Sequence, residues 1–360
     1  MSGTFHAIRL DRFAATFREA AGIVELPLHE PGPGQVRVRN AFCGVNGIFD
    51  TQIARNAVDY VEISLPSLTG VEALGVVESC GPGVEGLRPS DAVVTTRFPG
   101  GYREWNVAPA AHFVRVPKVD RDWLALASTG VSATMALEQI GAVRDGETVA
   151  ISAAAGGLGH ILVQLALLRG CHVVAVCGGG PKAEFVRGLG AHRVIDYRTE
   201  SVADVLASEY PDRIDVAIDT VSGTIFDAFL DNIAPHGRLV VGGAAQDLEG
   251  RPEIITGPRI VHKLYYKGAS VRGFMNGLLS DQWGDARRRV FELYECGKLR
   301  IVFDEPQFAG LAGVFNAVER LLSGQSMGKV AVDLRGAHWP YAAVMSESRR
   351  HGGAPPSGNS

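Results

Sequence analysis

Cysteine is scarce: five residues in 360, at positions 43, 80, 171, 177 and 296. An odd, scattered set offers no disulfide framework and points to reduced thiols in a cytoplasm. The ten histidines never gather at metal-ligand spacings. Positive charge is not in excess, since 35 Lys and Arg face 39 Asp and Glu for a net charge of -4. That excludes the basic footprint of a nucleic-acid binder. No apolar run approaches the roughly 20 residues of a membrane span. The opening residues, Met1 to His6, lack a basic stretch leading into an apolar one, so no signal peptide is expected. What remains, 46% hydrophobic and 21% charged, is the composition of a soluble globular chain long enough for two domains.

Glycine, by contrast, is plentiful, with 44 residues. The most informative run is Val149-Ala150-Ile151-Ser152-Ala153-Ala154-Ala155-Gly156-Gly157-Leu158-Gly159-His160. A short apolar strand enters a glycine-rich turn, and an apolar helix follows through Ile161, Leu162, Leu165 and Leu168. An ordinary tight turn also carries glycines. Here the strand before and the helix after match a dinucleotide-binding turn, in which Ala155, Gly156, Gly157, Leu158 and Gly159 face a pyrophosphate at a helix N-terminus.

The second strand, His172 to Val176, ends in Cys177-Gly178-Gly179-Gly180-Pro181-Lys182. NAD-binding folds place a carboxylate about 20 residues after the first turn to hold the ribose 2′-hydroxyl. No carboxylate sits at this tip. The three glycines Gly178 to Gly180 leave room beside Cys177, Lys182 offers a cation, and Tyr197 and Arg198 follow the third strand. The pattern favours a 2′-phosphate, hence NADPH. The plainer alternative makes Lys182 the first exposed residue of a helix.

Residues 1–123 read as β-rich. Short apolar runs such as Gln35 to Arg39, Leu74 to Glu78 and Ala92 to Thr95 are separated by Pro/Gly turns, as expected of a barrel-like unit. Residues 124–275 alternate strand and helix. Further strands are expected at Asp215 to Ile218, Arg238 to Val241 and Ala269 to Arg272. The expected fold is therefore α/β, with a doubly wound parallel six-stranded Rossmann sheet beside the β-rich domain. Residues 276–336 are expected to return to the first domain, and 337–360 to form a flexible tail.

Seven ordered motifs carry a likeness over nearly the whole chain. They are Gly44-Val45-Asn46, Ser128 to Ser132, Ala153 to Gly159, Asp219 to Gly223, Gly237 to Gly242, Val271 to Phe274 and Gly328-Lys329-Val330. Together they resemble the medium-chain dehydrogenase/reductase superfamily, in particular its zinc-independent quinone oxidoreductase-like branch. The resemblance implies a GroES-like catalytic domain, a nucleotide domain and a cleft between them. It implies NADPH-dependent reduction of an activated C=C bond or a quinone, a small-molecule substrate and a homodimer. It also implies cofactor contacts from Ser132, from Phe274 and Met275, and from Lys329.

The superfamily's alcohol dehydrogenases hold zinc with a Cys, a His-Glu pair and a later Cys. Asn46 stands at the first Cys, and Val71, before Glu72, stands at the His. Catalytic zinc needs three protein ligands, so no metal is expected. A metal-free reductase stabilises the developing substrate oxyanion with hydrogen-bond donors and later delivers a proton. Asn46 is either such a donor or a structural amide. Tyr60 either donates to the oxygen, supplies the proton, or walls the pocket. Asp50 and Arg55 lie in the same loop, where an ion pair is the bland expectation. Thr134 replaces a tyrosine common in relatives, a change expected to reshape the pocket. Two other readings stand beside a simple reductase: hydride addition that triggers ring closure of a polyketide-like substrate, and a non-catalytic NADPH-binding protein.

Overall fold

Alternation sets the first sheet. In Gln35–Gly44, Val36 and Val38 face the core while Gln35, Arg37 and Arg39 lie between them, half-buried. This period of two defines a strand with one buried face. The computed structural model describes residues 3–58, 60–246, 254–256, 258–336 and 339–341. The expected flexible tail lies outside the described residues, apart from residues 339–341.

Eight strands occupy the first 116 residues. They are β1 (Thr4–Leu10), β2 (Ala21–Pro27), β3 (Gln35–Gly44), β4 (Ser67–Leu68), β5 (Glu72–Cys80), β6 (Ala92–Thr95), β7 (Trp105–Pro109) and β8 (Phe113–Val116). Strands β2, β1 and β4 form a small antiparallel sheet. Strand β3 pairs antiparallel with both β5 and β7, and β5 continues through β6 to β8.

The second sheet contains β9 (Thr148–Ile151), β10 (His172–Cys177), β11 (Arg193–Asp196), β12 (Ile214–Asp219), β13 (Ile233–Val241) and β14 (Ser270–Gly273). All six are parallel in the order β11-β10-β9-β12-β13-β14. This is the doubly wound order whose crevice lies at the carboxyl ends of the first and fourth strands. Both faces of the sheet are covered, so β9 and β10 read as continuous apolar runs.

The chain then returns. The helix Trp283–Glu295 packs on the helical run 126–134, with Val290 seated against Gly130. Strand β16 (Ala331–Asp333) joins β3, and β15 (Phe308–Ala309) joins β16, which attaches the last elements to the first sheet.

Residues 300–304 and 328–330 stitch the two halves together. Gln164 of the first nucleotide-domain helix brackets Arg300, donating to its carbonyl at 2.9 Å and accepting from its N–H at 2.9 Å. His160 accepts from the Val302 N–H at 3.2 Å. Lys329 donates its N–H to Val302 O and accepts from Asp304. Val330 O in turn accepts from Val45 at the end of β3. Among the described residues no helix is long and apolar enough to cross a membrane.

Candidate active site

The glycine turn follows β9 as expected. Ala155 is buried, its carbonyl accepting from Gly328 at 2.8 Å, while Gly156, Gly157 and Leu158 are half-buried. Gly159 opens the helix Gly159–Leu168, and a Cβ there would collide with Ala153 O. The N–H of Leu158 donates to no protein group among the described residues, whereas Gly157 is drawn into the isolated parallel bridge that Gly156 makes with Gly328. An unsatisfied donor at the start of a ten-residue helix favours an anion. His160, fully buried, ties the turn to the returning chain. Its Nδ1 lies 2.9 Å from Gly156 O while Nε2 accepts from Val302. Burial chiefly holds this imidazole neutral, pushing it down to about 4.

At the tip of β10, Cys177 is buried and its thiol is raised to about 11, mainly by burial. The Tyr197 ring lies against Gly178 so closely that no side chain fits there, and its outer side is exposed. The Arg198 guanidinium is next to Gly179. Lys182 is anchored by a 2.7 Å bond to Gly324 O. Burial first, and also the nearby Arg198, lower its ammonium pKa. Neither cation makes an ion pair among the described residues. A carboxylate does stand nearby, on the adjoining strand. Asp196 accepts from the N–H groups of Gly179 at 2.8 Å and Arg198 at 3.1 Å. The Gly179 bond chiefly holds it below the usual range.

Ser132, Phe274 and Met275 gather around one further residue, Asn276. The Asn276 amide donates to Ser132 Oγ at 3.0 Å, and its oxygen accepts from Trp283 Nε1 at 2.8 Å. Phe274 is half-buried and donates its N–H to Val241 O, and Met275 is exposed. Thr134 is buried, its hydroxyl bonded back to Gly130 O.

Asn46 occupies the junction of β3 and the helix Gly47–Ala54. It is the N-cap residue, yet its side chain makes no capping bond. Its Nδ2 donates to Glu72 Oε1 at 2.8 Å instead. Lys329 reaches the same carboxylate oxygen at 2.5 Å, Val45 O at 3.2 Å and Asn46 Oδ1 at 3.5 Å. Glu72 is fully buried and Lys329 nearly so, and a Cβ on Gly44 would strike the Glu72 carboxylate. The Lys329 stem lies against Gly157. Its backbone thus touches the glycine turn while its ammonium is committed to Glu72.

Asp50 is not a loop ion pair. It is fully buried and accepts from the Tyr102 hydroxyl at 2.5 Å. Arg55 turns to Ala15 O. Tyr60 is half-exposed and stacks on Phe49, whose other neighbour is Phe98 in an edge contact at 5.5 Å. The three rings form an aromatic strip beside Asn46's helix.

The zinc of the superfamily's alcohol dehydrogenases does not fit this donor set. Among the described residues no three His, Cys, Asp or Glu side chains converge. The carboxylate that remains, Glu72, already carries an ammonium. A cavity of about 300 Å³ lined by Phe42, Arg121, Phe303 and Arg335 shares no residue with this site.

Two family models match: the alcohol dehydrogenase GroES-like domain over residues 32–118 and the zinc-binding dehydrogenase over residues 157–292. Prostaglandin reductase-3 of Mus musculus is 33% identical, covering 92% of this chain and 90% of its own. The chain belongs to the medium-chain dehydrogenase/reductase superfamily. A probable quinone oxidoreductase of Leishmania amazonensis is 31% identical over 92% of this chain and 98% of its own. Among solved structures, mycobacterial Rv1454c complexed with NADPH aligns with a TM-score of 0.77 and 26% identity, covering 92% of this chain and all of that one. A Pseudomonas syringae quinone oxidoreductase aligns at 0.80 with 27% identity and the same coverage.

Sequence reasoning named Lys329 without its partner Glu72, passed over Tyr102 and Asn276, and gave His160 no role. Tyr102 follows Gly100-Gly101 with no periodic signal, and Asn276 lies just beyond a motif. His160 is the one with a usable signal: a polar ring at a position where the helix packs on both sides.

Burial chiefly raises the Asp50 carboxyl to about 7, and Glu72 adds to this. Tyr102, the Asn46 backbone and Lys329 oppose it. The folded state therefore holds a proton that the unfolded chain releases near pH 3.8. The resulting stability is complete below about pH 4 and is lost as pH rises through about 7. Asp50→Asn removes this loss while still accepting from Tyr102. The variant's Tm minus that of the wild type should rise from pH 4 to pH 8. Parallel Tm curves would contradict the assignment.

Proposed function

We propose that the chain is a zinc-independent, NADPH-dependent oxidoreductase that reduces an activated C=C bond, as in an enone, or a quinone. The observation that carries this reading is that one side chain, Lys329, joins the two halves of the site. Its stem lies on the glycine turn, and its ammonium is on the Glu72 carboxylate that holds Asn46. Bound NADPH supplies a hydride. The relatives named above are called reductases and oxidoreductases, and one solved neighbour is a complex with NADPH.

The residues divide the work. The glycine turn, with the free Leu158 N–H at the start of its helix, binds pyrophosphate, and Lys182 and Arg198, with Tyr197 beside them, bind a 2′-phosphate. Gly178, next to Cys177, lets the Tyr197 ring pack against the backbone at the tip of β10, beside the ribose. Ser132, Phe274 and Met275 line the nicotinamide end, with Asn276 holding the Ser132 hydroxyl in place. Asn46 keeps one amide hydrogen beyond the one on Glu72 and donates it to the substrate oxygen as negative charge develops there. Tyr60, Phe49 and Phe98 wall the substrate and exclude water. This arrangement leaves Tyr60 as a wall residue rather than the oxygen's main donor.

The assembly is proposed to be a homodimer. Strand β14 is a sheet edge, and exposed Ile254, Ile255, Val261, Tyr265, Tyr266 and Leu278 lie in the segments on either side of it. Uncovered edges and apolar patches of this kind call for a partner. Light scattering after size exclusion should give twice the chain mass of 38.3 kDa. A monomer at micromolar concentration would refute the dimer.

NADPH oxidation with a panel of enones and quinones tests the activity. Turnover should prefer NADPH to NADH, and Lys182→Ala with Arg198→Ala should erase about tenfold or more of that preference. Asn46→Ala should lower kcat by about 100-fold with NADPH affinity unchanged. An absence of turnover on every acceptor, or equal use of NADH, would contradict the proposal.

A further inference from the structure

We infer that Lys329 and Glu72 are positioning residues whose buried ion pair sets the orientation of the Asn46 amide. The inference rests on the reading of Asn46 as the donor to the substrate. It starts from a broken local rule. Asparagine at an N-cap normally accepts from the backbone of the helix's first turn. Asn46 is at that position, and its side chain makes no such bond. The helix Gly47–Ala54 gives up a cap so that the amide can face elsewhere. Local rules are most often broken where function requires it.

The two ends of an amide are nearly the same size, so shape alone does not choose between them. Charge does. A carboxylate can only accept and an ammonium can only donate. Glu72 Oε1 therefore selects the NH2 end at 2.8 Å, and Lys329 Nζ selects the oxygen end at 3.5 Å. A flipped amide would place its oxygen on the carboxylate and its NH2 on the ammonium. The ammonium's three donors are taken by Glu72, Val45 O and Asn46 Oδ1. This leaves the charge no freedom to wander.

A buried ion pair contributes little to net stability against an apolar pair of similar shape, and geometric specificity is its best-supported use. Gly44 fits this account, since any side chain there would displace the Glu72 carboxylate. Among the described residues Glu72 Oε2 is buried with no hydrogen-bond partner, so the carboxylate is not placed for its own satisfaction. Holding a donor in one orientation matters for rate, because misplacement by about 1 Å costs about 100-fold.

The test is side-chain amide NMR on protein labelled with 15N-asparagine, with Asn46→Ala identifying the Asn46 signal. The wild type should show one pair of well-separated amide protons for Asn46. Lys329→Met leaves Glu72 buried and unpaired and can fail to fold, so the decisive variant is Lys329→Met with Glu72→Gln. That double variant should fold and bind NADPH, and its Asn46 protons should converge or broaden. Its kcat should fall about 10- to 100-fold, with no further fall when added to Asn46→Ala. An Asn46 signal unchanged in the double variant, or an equal kcat loss with and without Asn46, overturns the inference. If the wild type turns over no acceptor, or Asn46→Ala keeps full kcat, the functional reading fails instead, and the amide signal still decides the positioning role.

Discussion

A lysine ammonium buried on a glutamate, its stem against the glycine turn, is the contact on which this site depends. Neither Lys329 nor Glu72 is tolerable alone at that depth, since an uncompensated buried charge costs several kcal/mol. The pair forces Gly328 to Val330 into the gap between the glycine turn and the end of β3. The remaining cross-links follow the same line. Arg300 to Asp304 lies alongside that segment, gripped by His160 and Gln164 from the nucleotide domain. The proposed phosphate-binding turn and the proposed substrate donor are thereby held at opposite ends of one side chain.

The same contact underlies the proposal that this superfamily member works without zinc. In its alcohol dehydrogenases a cation neutralises acidic ligands and polarises the substrate oxygen. Here a cation still neutralises Glu72, but it is covalently part of the chain and is saturated by oxygen ligands. It has no donor left for a substrate, so under the proposed function the task of polarisation passes to the neutral amide of Asn46. Asp50, one helical turn on, is raised to about 7 chiefly because burial penalises its charge, with Glu72 adding to this.

Much of this was legible in the sequence, and the divide is physical. The doubly wound sheet could be read because its strands are continuous apolar runs separated by helix-length segments. The glycine turn could be read because close backbone approach leaves only glycine. The replacement of two zinc-ligand positions by Asn46 and Val71 could be read directly. Contacts across large sequence separations could not. Nothing in the run Gly328-Lys329-Val330 says that its cation reaches back 257 residues to Glu72. Likewise Asp50 reads as a loop charge until the fold places Tyr102 against it. The tip of β10 was read as lacking a carboxylate, and along the chain it does. The parallel register of β11 then sets Asp196 opposite Cys177, where two backbone N–H groups occupy it.

Hydrogen exchange with and without NADPH tests most directly whether the two ends of the site are one unit. Cofactor binding should slow exchange at Gly156 to Gly159, and also at residues 328–330 and 44–46, which no phosphate touches. Protection confined to the glycine turn, with the other two segments unchanged, would contradict the account.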